Sequence, residues 1–555
     1  MTPPNLILSL LRSGALEQAE KEYLRLGFDS NTSSEDVMAL GGRILKARAL
    51  EHSGVKRHSL ALMAAEKYAA AHTRFGGSFS GINTAALYLV GGHLEKARAT
   101  ALSVQKSLQG ISPKPGTDAY YHMATFAEAW LLLGEQTRAE QTLADAILLD
   151  PHNYAAHAST LKQFEMLLTA LRQSHDWLVP FRPPKSLHFA GHLFGLEGGQ
   201  NPLDISAIYV LEKAVNDLLE SNNFGAAYSA LAAGSDIIIA ETLIKQGIEL
   251  HVVQPCPETL FSEISLSPFG AGWQARFDVC MGATTTVRTV SHDTTVCDDL
   301  TTAFASETAM GLAVLRADRL ATTAEQLLIW DGKNNTRTSG TARDAHLWQA
   351  AGRHSHIISF PFNRPNTPKA DITNTKNNRS LKAMLFADVK GFGQLSEIQM
   401  PLFVDHVLQP LAEHCNSADL TLHHINTWGD GLFLVFDSVI AAAETAIELQ
   451  STFQSIDLEA KGLPPELALR VGGHYGPVHS LNDPFLGQPG IFGREVTIAA
   501  RIEPITAPGS IFVSEPFACA LALTNQNGFR SEPLSDHVRN TNAPPSALFS
   551  LRKTR

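Results

Sequence analysis

Two strand-like runs in the last third of the chain each end at an aspartate, and this arrangement narrows what the chain can fold into. The first, LKAMLFADVKGFGQLSE, reads as a strand that delivers Asp388 to a turn containing Gly391 and Phe392. About 40 residues later, HHINTWGDGLFLVF places a tight Gly429-Asp430-Gly431 turn between two strand-like runs. Both carboxylates then stand at strand ends, one of them on a hairpin, where they can converge on divalent cations. Mg²⁺ takes oxygen ligands and is often held by one or two carboxylates together with substrate phosphates. Paired metals can activate an attacking oxygen and steady a leaving one. Downstream, LALRVGGHYGPVH reads as another strand ending in glycines. GREVTIAARIEPITAPGSIFVSE reads as a helix carrying Arg501, then a turn, then a strand.

The remaining two-thirds follow other patterns. Residues 1–178 are rich in leucine and alanine, with apolar residues at helical spacing. A glycine followed five positions later by an alanine recurs at Gly14, Gly42, Gly92 and Gly134, with spacings of 28, 50 and 42 residues. The expected role is that the glycine ends one helix and the alanine lets the next pack closely. The segment AEAWLLLGEQTRAEQTLADAILLDPHNYAA resembles a tetratricopeptide repeat. FSGINTAALYLVGGHLEKARA resembles the helical-repeat region beside the TRAF-binding segment of some stress kinases. Both resemblances imply a scaffold that binds a protein partner.

Near Pro180 the pattern changes to strands alternating with helices, and residues 179–360 are expected to form a parallel, Rossmann-like α/β sheet. Gly191-His192, Gly234-Ser235-Asp236, and WDG followed by Gly340-Thr341 resemble the SLOG superfamily of Rossmannoid domains. That resemblance implies a small nucleotide-like ligand near Gly191, Gly234, Asp236 and Gly340. The plainer alternative is that these glycines only permit tight strand-to-helix turns. Neither GxGxxG nor GxxxxGK[ST] occurs, so neither a dinucleotide nor a P-loop nucleotide is implied. Residues 361–380, PFNRPNTPKADITNTKNNRS, are polar and aperiodic and read as a linker. The last domain is then 381–555.

Composition bounds the function. The 555 residues carry a formal charge of −11, the wrong sign for a general nucleic-acid surface. No apolar run of 18 or more residues is present, so no membrane span is expected. The N-terminus lacks the regions of a secretory signal. Five scattered cysteines without a C-x-x-C pair exclude a disulfide scaffold. The expectation is a reduced, cytoplasmic, multidomain protein.

The C-terminal motifs, in order, resemble the catalytic domain of class III nucleotidyl cyclases, the adenylate and guanylate cyclase family. FADVKGF and WGDG match its two metal motifs. RVGGHYGPV matches the strand written R-x-G-x-H-x-G, and GREVTIAARIE the helix G-x-x-V-N-x-A-A-R-x-E. The resemblance covers residues 381 to about 552 and implies a ferredoxin-like α+β core paired head to tail as a homodimer. It implies that Asp388 and Asp430 hold two Mg²⁺ or Mn²⁺ ions and that the backbone from Val389 through Gly391 to Phe392 lies near a triphosphate. Arg501 of the partner would stabilise the transition state while the nucleoside triphosphate, ATP by default, closes to a cyclic nucleotide. His474 is expected to be structural, and adjacent His423 and His424 to point to opposite faces rather than form a metal pair.

Three positions depart from the family. Thr497 stands where an asparagine is usual, Asn426 where a base-reading lysine or glutamate is usual, and Gly490 where its Asp, Thr or Ser partner is usual. Asn426 both donates and accepts, so it does not choose between adenine and guanine. Arg539 is the candidate for a C-terminal cation on the triphosphate. Two readings follow: an active cyclase, or a degenerate cyclase fold used for nucleotide sensing or dimerisation.

Overall fold

The computed structural model describes residues 3–12, 16–30, 33–333, 338–362, 379–416, 420, 422–524, 528–534 and 547–554. The first region is helical: α1 (Pro3–Arg12), α2 (Leu16–Arg25), α3 (Glu35–Leu50), α4 (Gly54–Phe75), α5 (Ser78–Val90), α6 (Leu94–Leu108), α7 (Thr117–Leu133), α8 (Gln136–Leu149) and α9 (Tyr154–Leu171). Successive helices pack against one another along the array. Gly92 and Gly134 adopt left-handed φ values of 85° and 88° at helix ends, and Ala97 and Ala139 are buried in the helices that follow. The copy at Gly42 behaves differently, because Gly42 lies inside α3. A Cβ there would stand 2.7 Å from the Tyr68 ring, so the glycine admits an aromatic side chain from α4 rather than ending a helix. Gly14 lies outside the described residues.

The middle region runs β1 (Lys185–Gly191), α10 (Ile205–Glu220), β2 (Phe224–Ser229), α11 (Ser235–Lys245), β3 (Glu249–Gln254), α12 (Glu258–Ser265), α13 (Gly272–Gly282), β4 (Thr286–Thr289), α14 (Asp299–Arg319), β5 (Ala324–Trp330), α15 (Thr341–Ala350) and β6 (Ser355–Ser359). The strands form one parallel sheet in the order β4-β3-β2-β1-β5-β6, and the order reverses between β1 and β5. The central strands are buried on both faces, as the near-continuous apolar runs of a parallel sheet require. One face packs on α10–α13; the other carries α14 and Trp348 of α15.

The last region runs β7 (Arg379–Lys390), α16 (Gln399–Phe403), a π turn and α17 (Gln409–Cys415), then β8 (His424–Trp428), β9 (Gly431–Phe436), α18 (Val439–Gln454) and β10 (Ala468–Asn482). It ends with β11 (Pro489–Phe492), α19 (Arg494–Ile502), β12 (Ile511–Ser514), α20 (Glu515–Leu523), β13 (Phe529–Pro533) and β14 (Leu548–Lys553). Its sheet is ordered β13-β14-β12-β10-β7-β9-β8, with β11 paired to β10. β7 begins at Arg379, so the last two residues of the expected linker already belong to the sheet. Along β7, Ala383, Leu385, Ala387 and Val389 enter the main core, while Met384, Phe386 and Asp388 face α19.

The regions are docked. Helix α14 crosses α20 closely enough that a Cβ on Gly311 would sit 2.3 Å from Cys519 Cβ. The Tyr475 hydroxyl donates to Glu307 at 2.9 Å, and Arg288 pairs with Glu515 at 2.8 Å. Among the described residues no helix is long and apolar enough to cross a membrane.

Candidate functional site

The alternation of β7 brings Asp388 out on the α19 face beside Arg470, its register partner on β10. Arg470 Nη2 donates to Asp388 Oδ2 at 2.5 Å and lies 2.8 Å from Glu503 Oε1, just past the end of α19. Asp430 reaches the same place from the hairpin between β8 and β9. Gly429 takes φ +65° in that turn, and a Cβ on Gly431 would lie 2.4 Å from the Trp428 indole nitrogen, so both glycines are required by the geometry. Asp430 Oδ2 accepts the Val389 N–H at 3.2 Å, which pins the hairpin tip to the end of β7.

The electrostatics favour a cation. Burial first, and then the neighbouring Asp388, push the Asp430 carboxyl up to about 6. Burial pushes Glu503 up to about 7, against the Arg470 guanidinium and with the help of Asp388 and Asp430. Arg470 thus pairs with two carboxylates, Asp388 and Glu503, while Asp430 stands beside Asp388. Among the described residues no group of three or more His, Cys, Asp or Glu side chains is arranged to hold a metal ion. Asp388 and Asp430 stand as a pair of adjacent carboxylates, Asp388 close enough to perturb Asp430. Arg470 and Glu503 lie inside the two sequence motifs but received no role there.

The other expected site residues fall around this pair. Val389 is buried in the core and its amide is taken by Asp430, so that amide orients a carboxylate rather than facing a phosphate. Gly391 takes φ +96°, and the half-buried Phe392 ring packs on Phe403 with 5.1 Å between centroids. Asn426 is exposed on β8, and its Oδ1 accepts the Thr427 N–H at 2.9 Å. Gly490 is buried on β11, where a Cβ would meet the Phe492 ring at 2.9 Å. Thr497 and Arg501, one turn apart, are exposed on α19, while Glu495, Ala499 and Ile502 face inward. Arg501 makes no ion pair among the described residues.

His474 is buried between Ser514 Oγ and Glu495 Oε2, both at 2.7 Å, a structural position. His423 meets Ser480 Oγ at 3.2 Å, whereas the His424 ring packs on Phe433. Arg539 lies outside the described residues.

In the middle region, Gly191 and Gly234 come together at the strand ends. A Cβ on Gly191 would stand 2.3 Å from Ser235 Cβ, and Gly234 takes φ +92° before α11. Asp236 turns inward: its carboxylate accepts from Ser229 Oγ at 3.2 Å and Ala232 N at 3.1 Å, and burial pushes it up to about 7. It braces the turn instead of presenting a charge to a ligand. Gly340, at φ +101°, caps the N-terminus of α15.

The family model of the adenylate and guanylate cyclase catalytic domain matches residues 376–539. A curated protein of Rhizobium meliloti (strain 1021), "Putative adenylate cyclase 3", is 31% identical over 150 residues, 25% of this chain and 22% of that protein. The chain thus spans about a fifth of that relative's length. Among solved structures, the adenylyl cyclase CyaB from P. aeruginosa is 19% identical and covers 32% of this chain and 96% of its own, with a TM-score of 0.28. The guanylate cyclase domain of RhGC from Catenaria anguillulae, in complex with GTP, is 17% identical over 32% of this chain and 97% of its own, at 0.26. The C-terminal region is a cyclase catalytic domain homologous to those of adenylyl and guanylyl cyclases.

Proposed function

We propose that this domain converts a nucleoside triphosphate, ATP by default, to the 3′,5′-cyclic monophosphate and pyrophosphate, at a site completed by a second copy paired head to tail. The observation that carries the reading is the Asp388–Asp430 pair, with Asp430 pinned by the Val389 amide and Asp388 paired to Arg470. The donor set fits Mg²⁺ or Mn²⁺: two adjacent hard carboxylates, one with raised proton affinity, gain from a cation between them. Two such ions held by Asp388 and Asp430 would supply the positive charge that lowers the pKa of the ribose 3′-hydroxyl and offsets the triphosphate.

The chain's own contribution is positional. The 3′ oxygen attacks the α-phosphorus in line, its proton is released, and the bond to pyrophosphate breaks. Arg501 of the second copy donates to the oxygens on which charge grows, a task suited to an always-charged, rigid donor fork. Thr497, one turn earlier on the same exposed face, donates through a hydroxyl where the family uses a carboxamide. Asn426 and Gly490 flank the base and leave it weakly selected. The helical region fits a tetratricopeptide-like scaffold for a protein partner, and the α/β domain a SLOG-like regulator of when the chemistry occurs.

The test is purified full chain with Mn²⁺ and each of the four nucleoside triphosphates. Pyrophosphate and a cyclic product, both abolished in D388A, are expected. Absence of product from every triphosphate would overturn the reading in favour of a non-catalytic sensing or dimerisation module.

A further inference from the structure

A cavity of about 690 Å³ opens where all three regions meet. On one side lie Tyr228, His251 and Thr286, side by side across β2, β3 and β4. The last turns of α14 form a second side, the helical region contributes Lys162, and α20, β13 and β14 close the rest. That volume is in the range of small-molecule sites.

Its lining is strongly basic. Lys162, Arg288, Arg316, Arg319, Arg353 and Arg530 stand against Asp318, Glu515 and Glu532. Two of these carboxylates are taken: Glu515 by Arg288 at 2.8 Å and Glu532 by Arg530 at 2.9 Å. Arg316 pairs outside the lining with Glu249 at 2.9 Å. Lys162, Arg319 and Arg353 have no carboxylate within ion-pair distance among the described residues. Lys162 donates to the Arg319 carbonyl at 3.0 Å, and Arg353 to those of Leu523 and Ala522 at 2.9 and 2.7 Å. Burial, and then Arg530, hold the Lys162 ammonium below its ordinary value; burial does the same to Arg353. Lys162 and Arg353 are half-buried with Asp318 nearby but unpaired to it, Arg319 is exposed, and six cations against three carboxylates leave positive charge that an anion would offset. The remaining wall is apolar, with Leu312, Leu315, Phe529 and Phe549, and suits a flat ring.

We propose that this junction cavity binds a small organic phosphate of nucleotide size. Its phosphate oxygens accept from Lys162, Arg319 and Arg353, and its ring lies against Phe529 and Phe549. The site is distinct from the glycine-lined strand ends and from Asp388 and Asp430, and it stands whether or not the cyclase reading does. An anion here also competes with Glu515 for Arg288, and Glu515 opens α20 of the cyclase domain.

The test is calorimetric titration of the full chain in EDTA with AMP, inorganic pyrophosphate and adenosine. AMP is expected to bind, and adenosine to bind at least about tenfold more weakly, the effect of losing one charge-assisted hydrogen bond. K162Q/R319Q is expected to weaken AMP by a similar factor or more, while D388N/D430N leaves its affinity unchanged. If the double variant loses its circular-dichroism signature, R319Q alone, on an exposed side chain, takes its place. Hydrogen exchange with AMP should slow over 286–289, 315–320 and 521–523. The proposal is overturned if no probe binds, if the lining variants bind AMP as the unmodified chain does, or if protection is confined to 388–392 and 428–431. Pyrophosphate binding as tightly as AMP would overturn the nucleotide class.

Discussion

Arg501 and Asp388 of one chain do not face each other. Arg501 and Thr497 lie on the exposed side of α19, whereas Glu495, Ala499 and Ile502 point to the sheet and Glu503 joins Arg470 beside Asp388. Under the proposed function an arginine so directed would serve the site of a second copy, and mixing two inactive variants tests this. R501A alone removes one electrostatic stabiliser, a loss of about 2.7–4 kcal/mol or roughly 100- to 1,000-fold in rate. D388A alone removes a ligand from its own site. When equal amounts exchange subunits, half of the dimers are mixed. Each mixed dimer has one site lacking both residues and one site complete, so about a quarter of all sites are whole. The mixture is therefore expected to release pyrophosphate from ATP with Mn²⁺ at about 25% of the unmodified rate, far above either variant alone. Differently tagged copies, co-purified, establish that exchange took place. A mixture with proven mixed dimers that stays at the mean of the two single variants refutes the shared site.

Arg470→Ala leaves Asp388 and Glu503, with side chains 29% and 13% exposed, without their cation. Urea unfolding should show a loss of about 3 kcal/mol, the lower end for breaking a largely buried pair, with part recovered on adding Mn²⁺. Gly311→Leu forces a side chain into Cys519 and should cost about 1–3 kcal/mol, seen as separate unfolding of middle and C-terminal regions by calorimetry. Asp236 titrates at about 7 when folded, against an ordinary 3.8. Between those values the folded state holds a proton that the unfolded state releases. Stability therefore falls as pH rises through that window, by up to about 1.4 kcal/mol per pH unit, and levels off above it. Asp236→Asn should flatten that slope; an unchanged pH profile of urea midpoints counts against the assignment.

The period-2 alternation of β7 and the Gly-Asp-Gly turn are local patterns, so the placing of Asp388 and Asp430 at strand ends was legible before any packing was known. Arg470 and Glu503 were not, although both lie in the same motifs. Their meeting with Asp388 depends on the β7–β10 register and on where α19 ends, which no short segment encodes. Helix α14 went unread for a related reason. It is buried along most of its length, between the sheet on one side and α20 on the other, so it shows no single apolar stripe. The repeat at Gly42 misled because one string served two purposes: glycine ends a helix at Gly134, but makes room for the Tyr68 ring at Gly42.

How the first two regions could govern the third follows from what α14 touches. Its Glu307 accepts from the Tyr475 hydroxyl on one face of β10, and Arg343 holds the same carboxylate. The adjacent residue on the opposite face, His474, meets Glu495 in the first turn of α19, the helix that carries Thr497 and Arg501. One strand thus links the middle region to the helix that carries Thr497 and Arg501. Removing residues 1–360 would strip α14 from α20, expose Cys519 and Leu523, and leave Tyr475 without Glu307. A truncated domain would therefore report loss of packing as well as loss of control. Glu307→Gln keeps the helix in place and removes only the charge that Tyr475 and Arg343 share, so it is the cleaner probe. A double-mutant cycle with Tyr475→Phe, read as cyclic nucleotide formation, measures whether that contact carries coupling energy, which spatial adjacency alone does not establish.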